Sequence, residues 1–216
     1  MNPSAPLRTI LLLALLAGLL SLTGCAATKS TSATTTGNEM ELHAIIVLPV
    51  ATLVDTDEQT NLERARQLTT GAEIMNRLLN EYFDGANTVK VISPDQQRVL
   101  TEGYLADRSA QAKAIGQRLG SDAVLLVTVN RYIERQGADY SAQQPASVAF
   151  DYKLMAVKSG RTICSGVYEE TQQSLFENLF SLRGAMKRKF KWITAYDLAR
   201  EGIETRFGEC PQLRRQ

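Results

Sequence analysis

The sequence predicts a single α/β domain of three-layer type with a mixed sheet of about five strands. Three observations predict it: a continuous apolar run at residues 43–50, a long amphipathic segment after it, and two alternating segments at 147–157 and 161–170. Because strand-like and helix-like segments alternate along the first half, we expect parallel strands joined by crossover helices there. The predicted order is β-α-β-α-α-β, then an antiparallel hairpin and C-terminal helices.

The first strand and the first helix are the clearest elements. Residues 43–50 are so continuously apolar that we expect a strand buried on both faces and ended by Pro49. Thr60 and Glu63 have the spacing of a capping box, which predicts a helix start. Apolar residues then recur at alternating spacings of three and four, which places them on one helix face. These residues are Ala65, Leu68, Ala72, Met75, Leu79 and Tyr82.

Two further strands and two shorter helices follow. Residues 88–92 predict a short strand, and Ser93 predicts a helix N-cap with Pro94 at the first helical position and Gln96 closing the capping box. Another helix is expected from Ser109 to a stop at Gly120. Residues 123–132 predict the third strand, which is apolar at first and alternates later.

The second half of the chain predicts a hairpin. Residues 136–145 are polar and indicate a loop, and residues 158–160 indicate the hairpin turn. Between them the side chains alternate, so we expect two sets on opposite faces of the sheet. One set is Val148, Phe150, Tyr152 and Leu154, and the other is Asp151 and Lys153. Thr194 and Asp197 then cap a C-terminal helix.

The N-terminus has the pattern of a lipoprotein leader. Arg8 is followed by the apolar run Ile10–Leu20, which is short for a membrane span and typical of a signal peptide. The tetrapeptide at 22–25, Leu-Thr-Gly-Cys, resembles the bacterial lipobox. We therefore expect a signal peptide at 1–24, a lipidated N-terminus with a flexible tether at 25–41, and a periplasmic domain at 42–216. The alternatives are an ordinary secretory signal with an incidental cysteine, or an uncleaved anchor.

The lipobox implies that Cys25 carries the lipid, as a diacylglyceryl thioether with a further acyl chain, such as palmitate, on its amine. Two or three acyl chains hold a protein to a bilayer far more firmly than one. Ala26 stands where an Asp retains many lipoproteins at the inner membrane, so the resemblance favours the outer membrane. The protein is then expected on the inner leaflet of the outer membrane, facing the periplasm.

Charge and cysteine content narrow the function classes. The chain has 24 Lys and Arg against 23 Asp and Glu, a balance that argues against a nucleic-acid binder. Cys164 and Cys210 lie in a compartment that permits disulfides, and they are interpreted either as a bridge or as two separate thiols. Two such distant cysteines and the single histidine make a poor metal-ligand set, so we expect neither a metal nor a cofactor.

No catalytic motif is present, which predicts a protein without enzymatic activity. His43, the only histidine, is interpreted as a surface residue at the strand edge. Asp55, Asp57 and Glu58 follow the first strand at a position where α/β folds bind ligands. They are interpreted as a solvated acidic loop, since their spacing does not match a calcium loop.

One segment combines cations with aromatic rings. It consists of Lys187, Arg188, Lys189, Phe190, Lys191 and Trp192. This composition suits contact with a partner protein or with anionic lipid headgroups. The alternative is a solvated helix end whose two rings pack into the domain.

The strand at 44–50, the segment 121–132 and the turn at 157–161 resemble a loose group of bacterial envelope lipoproteins. The group includes the curli-secretion lipoprotein, the Tol periplasmic amino-terminal domain and activators of peptidoglycan synthases. The resemblance covers residues 44–170 and implies an α/β domain that binds other proteins. A pore is rejected, because no long alternating segments suit a membrane barrel. We expect an accessory or assembly factor with an envelope protein partner; the alternative is a periplasmic binder of a small ligand or glycan.

Overall fold

The computed structural model describes residues 42–52, 62–101, 107–138, 141–172 and 193–215. All of them belong to the second of two compact units, Glu41–Gln216. The strands are β1 Ile45–Val47, β2 Ala51–Thr52, β3 Val89–Val91, β4 Ala123–Ile133, β5 Gln136–Ala138, β6 Ser141–Gln144, β7 Ser147–Ala156 and β8 Thr162–Thr171. The helices are α1 Leu62–Tyr82, α2 Pro94–Leu100, α3 Arg108–Arg118 and α4 Ala195–Gly208, followed by a 3-10 turn at Pro211–Leu213.

One mixed sheet organises the domain, in the strand order β3-β1-β4-β7-β8. β1 pairs in parallel with β3 and β4, and β2 also pairs in parallel with β4. β4, β7 and β8 are antiparallel neighbours. The predicted fold class is therefore confirmed: crossover helices join the parallel strands, and a long hairpin completes the sheet.

Helices α1 and α4 cover the first face of the sheet. The alternating residues predicted for the hairpin, from Val148 to Leu154, lie in this core with Leu68, Met75 and Leu79 of α1. Phe207 of α4 packs edge-on against Tyr152 of β7, with ring centroids 5.0 Å apart. This is the larger of the two cores, so most of the apolar burial that stabilises the domain lies here.

Helix α3, with α2 beside it, covers part of the second face. Ala112 and Ile115 of α3 pack on Ile46 of β1 and on Val124 and Leu126 of β4. Ile45 and Val47 therefore lie in the first core, whereas Ile46 and Leu48 lie in the second, and residues 45–50 are all buried. The prediction of a strand covered on both faces is confirmed for this run, although only Ile45–Val47 form ladder pairs before Pro49 interrupts.

The helix ends agree with most of the predicted capping. Ser93 and Gln96 form the predicted capping box on α2, and the Thr194 side chain accepts a hydrogen bond from the N–H of Asp197. Helix α3 differs by one residue. Its N-cap is Asp107, whose carboxylate accepts from the N–H groups of Ser109 and Ala110, because Asp is a strong N-cap residue. The predicted cap at Thr60 lies outside the described residues.

One sequence-based expectation is wrong. The segment predicted as a polar loop, residues 136–145, contains the hairpin β5–β6, with Gln136 opposite Gln144. Backbone hydrogen bonds hold this pair, and its Gly, Ala, Ser and Gln residues lack the β-branched and aromatic types by which strands are usually recognised. Within the part of the chain that the structure describes, no helix is long and apolar enough to cross a membrane.

Candidate protein-interaction surface

The second face of the sheet is unevenly covered. Cross-strand pairs Ala149–Glu169, Asp151–Val167 and Lys153–Ser165 lie on this face, because the residues next to them in each strand point into the first core. We call these six residues of β7 and β8 the open half. No residue of β8 belongs to the second core formed by the described residues.

The β8 side of the open half is exposed to solvent. Val167 is 59 % exposed, and Ser165 and Glu169 are also exposed. Asp151 and Lys153 on β7 are half-buried. An exposed valine within a largely polar strip is a modest apolar contact, and its polar surroundings suit a non-obligate interface better than a permanent one.

Two glycine residues allow close packing on the face of β8 that points into the first core. The side of Gly166 that faces the first core lies under Tyr152, whose ring would be 2.7 Å from a Cβ at this position. Gly202 of α4 lies equally close to Tyr168 of β8. These two contacts let the helix lie directly on the hairpin, so β8 is supported from one face only.

Ion pairs and hydrogen bonds fix the side chains of the open half. Arg131 bridges to Glu169 at 3.0 Å and donates from Nε to Ser147 Oγ at 2.7 Å. Asn130 donates from Nδ2 to Asp151 at 3.0 Å. These contacts order the surface before any partner arrives, which lowers the entropy cost of binding.

Arg108 lies beneath this surface at the start of α3. One terminal nitrogen donates to the carbonyls of Pro49 and Val127, at 3.1 and 3.0 Å. Burial lowers the pKa of Arg108, and the nearby Asp151 carboxylate opposes that shift. Among the described residues, its other terminal nitrogen has no hydrogen-bond partner. The guanidinium therefore connects α3 to β4 and to the segment between β1 and β2.

Among the described residues, Lys153 makes a contact between an amine and a hydroxyl that resembles a catalytic pair. Its Nζ lies 3.0 Å from Ser109 Oγ. A lysine acts as base when apolar surroundings hold it neutral, whereas Lys153 shares a half-exposed strand face with Asp151. The N–H groups of Ser109 and Ala110, which could stabilise an oxyanion, are already bonded to Asp107. The pair is better explained as a polar contact that joins α3 to β7.

Two of the clefts lined by described residues offer space for a ligand. A crevice of about 290 Å³ lies between the first turns of α1 and the end of β4, near Gln67, Asn130 and Tyr132. A groove of about 410 Å³ lies between α2 and β3, with Val99 and Leu119 exposed beside it. Neither has the aromatic lining typical of a small-molecule or glycan pocket, since Tyr132 in the crevice is the one aromatic residue that lines either of them.

Tyr132 has an unusual environment. Burial raises its pKa, and the carboxylate of Glu134 adds to the shift. Its hydroxyl is buried and, within the described part of the chain, accepts or donates no hydrogen bond. An unsatisfied buried hydroxyl costs stability.

The structure brings together one of the predicted residue sets. Cys164 and Cys210 form a disulfide with their Cα atoms 6.1 Å apart, which joins β8 to the turn after α4. His43 is exposed, and its backbone N–H donates to Asp122. Cys25 lies outside the described residues, as do two predicted sets. These are the acidic residues Asp55, Asp57 and Glu58, and the basic-aromatic segment at 187–192.

The described residues include no group of three or more His, Cys, Asp or Glu side chains that could hold a metal ion. Sequence reasoning missed the open half, because nothing in the sequence indicates which half of the second face α3 covers. The alternation of β7 and β8 was the one signal of it, since it placed Asp151 and Lys153 away from the core.

Searches for relatives found similarity in three-dimensional structure alone. No family model matches the chain, and no curated protein matches it. A structure of the PelC dodecamer from Paraburkholderia phytofirmans is 15 % identical, with a TM-score of 0.39, covering 81 % of this chain and 89 % of that one.

Two further matches are of similar strength. The LpoB C-terminal domain from Salmonella enterica is 14 % identical, with a TM-score of 0.37, covering 62 % of this chain and 87 % of that one. Lipoprotein GNA1162 from Neisseria meningitidis is 16 % identical, with a TM-score of 0.34, covering 68 % and 96 %. The printed description of GNA1162 calls that protein a lipoprotein. Similarity at this level concerns the path of the chain.

Proposed function

We propose that this chain is a lipid-anchored, non-enzymatic accessory or assembly protein of the bacterial envelope, which binds another envelope protein through the open half of its sheet. The observation that carries the proposal is the one-sided cover of β8. Val167 is 59 % exposed on a strand whose other face packs on the first core through buried Tyr168 and partly buried Cys164. An apolar side chain among ordered polar groups gives the mixed composition found in non-obligate protein interfaces.

Two independent features of the chain support the proposed location in the envelope. The leader and Cys25 predict export and acylation. The disulfide between Cys164 and Cys210 suits an oxidising compartment such as the periplasm. Ala26 favours the outer membrane, and the predicted tether at 26–41 would give the domain reach while keeping it concentrated near membrane-bound partners.

A role without catalysis agrees with the chemistry of the open half. Its carboxylates Glu169 and Asp151 contact the side chains of Arg131 and Asn130 on β4, and these contacts order the surface. The contact between Ser109 and Lys153 lacks oxyanion donors, because Asp107 occupies them. The arrangement favours recognition of a partner over reaction with a substrate.

A small-ligand or glycan binder remains the second candidate. One observation favours it: the 290 Å³ crevice at the end of β4 lies at the carboxyl ends of parallel strands, where α/β folds bind ligands. Polar residues such as Gln67, Asn130 and Arg131 line it. Glycan titrations of the Asn130→Ala variant would test this role, and binding that is unchanged by the substitution would exclude the crevice.

Photo-crosslinking in intact envelopes tests the first candidate. A photoreactive amino acid replaces Val167 in one variant and Val99 in a matched control. Both valines are exposed, and they lie near opposite ends of the sheet, at β8 and beside β3. We expect position 167 to give a discrete adduct with a different envelope protein, and position 99 to give none. The same adducts from both positions, or none from position 167, would contradict the proposal. A Trp192→Ala variant tests separately whether the basic-aromatic segment contributes to capture.

A further inference from the structure

Strand β8 forms one end of the sheet and is long. It has ten residues, and from Cys164 to Thr171 its pairing with β7 is continuous. No strand among the described ranges pairs with its outer side. A strand of this length offers a row of outward-facing backbone N–H and C=O groups to another strand.

The two ends of the sheet differ in how they are protected against pairing. β3, at the opposite end, has three residues and carries exposed Lys90 at its centre. Short length and a lysine are the usual means by which proteins prevent edge-to-edge association. β8 contains no Lys, Arg or Pro, and it exposes Val167 near its middle. Its two charged residues, Glu169 and Glu170, lie near its end, so residues 162–168 carry no charge that would prevent pairing.

Charge along β8 is self-complementary. Lys158 and Arg161 precede the strand, whereas Glu169 and Glu170 lie near its end. When two copies of β8 lie antiparallel, the basic start of each strand is next to the acidic end of the other, at both ends of the pair. Opposite charges at facing positions stabilise cross-strand contacts, and like charges destabilise them. A parallel arrangement would place like charges together.

We propose that the partner of the β8 edge is a second copy of this chain, paired antiparallel about a twofold axis near Ser165 and Gly166. Such an axis stands perpendicular to the sheet, so the two sheets become continuous and the two open halves lie side by side on one face. The two Val167 side chains then lie on either side of the axis. This self-association goes beyond the proposed envelope role and does not depend on it.

The first test is the molar mass of the full chain, purified in detergent and measured by size-exclusion chromatography with light scattering, with the detergent mass subtracted. We expect a concentration-dependent mass of two chains. Val167→Lys places like charges near the axis and should reduce the mass to one chain. Val99→Lys makes the same change at an exposed valine far from β8 and should leave the dimer intact. Circular dichroism of both variants checks that they are folded.

A charge exchange tests the antiparallel arrangement and does not rely on Val167. Arg161→Glu makes both ends of β8 acidic, and Glu169→Lys makes the last residues less acidic, so each variant alone should lose its dimer. Mixed in equal amounts, the two should recover the mass of two chains, because each strand then offers the charge that the other lacks. A wild-type chain that stays monomeric at all concentrations overturns the proposal, as does a Val167→Lys dimer or a mixture that does not associate.

Discussion

Substitution of Gly202 by alanine tests whether α4 is fixed by its close approach to the hairpin. A Cβ at this position would lie 2.7 Å from a ring carbon of Tyr168 and 2.8 Å from one of Phe150. Neither ring has room to move: the two are buried, with centroids 5.3 Å apart. Either the helix or the rings must therefore shift to accommodate the methyl group.

The expected cost follows from two opposing terms. In an exposed helix interior, replacing glycine by alanine stabilises by about 1 kcal/mol. Overpacking a well-filled core costs about 1–3 kcal/mol. At Gly202 the new carbon would be about 0.7 Å closer than the 3.4 Å at which ordinary contact begins, so the second term should dominate. We expect a net destabilisation of about 1–2 kcal/mol, which lowers Tm by about 2–8 °C for a domain of this size.

Gly208 supplies a control within the same helix. Nothing lies within 4 Å of a Cβ placed there, so alanine adds no clash. Gly208→Ala should be neutral or stabilise by up to about 1 kcal/mol. Urea denaturation of residues 26–216, followed by circular dichroism, gives both free energies of unfolding. If Gly202→Ala is as stable as Gly208→Ala, the helix does not lie as close to the rings as we describe, and the reasoning is refuted.

Three further predictions concern the disulfide and the buried tyrosines. Removing the disulfide with a double Cys164→Ala/Cys210→Ala variant of residues 26–216 should lower the free energy of unfolding by about 2–4 kcal/mol, as loop entropy for a separation of 46 residues predicts. Dithiothreitol should destabilise the wild type and leave the double variant unchanged. Equal sensitivity of the two proteins to dithiothreitol would contradict the prediction. Tyr132→Phe removes a hydroxyl that has no hydrogen-bond partner among the described residues, so it should leave stability unchanged or raise it by about 1 kcal/mol. Tyr82→Phe loses the hydrogen bond to the Leu213 carbonyl and should cost about 1 kcal/mol in the same denaturation. Folding raises the pKa of Tyr132 above its ordinary value of 10.0, so the unfolded chain loses the tyrosine proton first and the free energy of unfolding should fall as pH rises above 10. The fall should be shallower in Tyr132→Phe. An equal dependence of the free energy of unfolding on pH in both proteins would speak against the shift.

Much of this fold could be predicted because its signals are local. The alternation between Val148 and Leu154 has the period of a strand with one buried face, and it fixes which residues of β7 enter the core. Ser93 and Gln96 predicted the start of α2 by the spacing of a capping box. Gly120 predicted the end of α3, and it adopts the positive φ of 65° that glycine tolerates.

The features that could not be predicted depend on packing between residues far apart in the sequence, which no local sequence pattern specifies. The pairing of β5 with β6 depends on backbone hydrogen bonds, and residue types such as Gly137 and Gln144 do not predict a strand. Lys153 and Ser109 are 44 residues apart, so their contact follows from where α3 crosses the sheet. The bridge between Cys164 and Cys210 stayed one of two alternatives for the same reason, since a disulfide requires a Cα separation that only the fold supplies.

The structure also explains how β8 can remain ordered although no other described strand pairs with its outer edge. A hairpin alone is only marginally stable in water. Here β8 is held from its other face by the disulfide at Cys164, by Tyr168 packed under Gly202, and by α4, which the Tyr152 hydroxyl joins to the hairpin through the carbonyl of Arg206. These contacts determine the position of the edge before binding. A partner strand would therefore meet an ordered template, and little of its binding free energy would be spent on ordering β8.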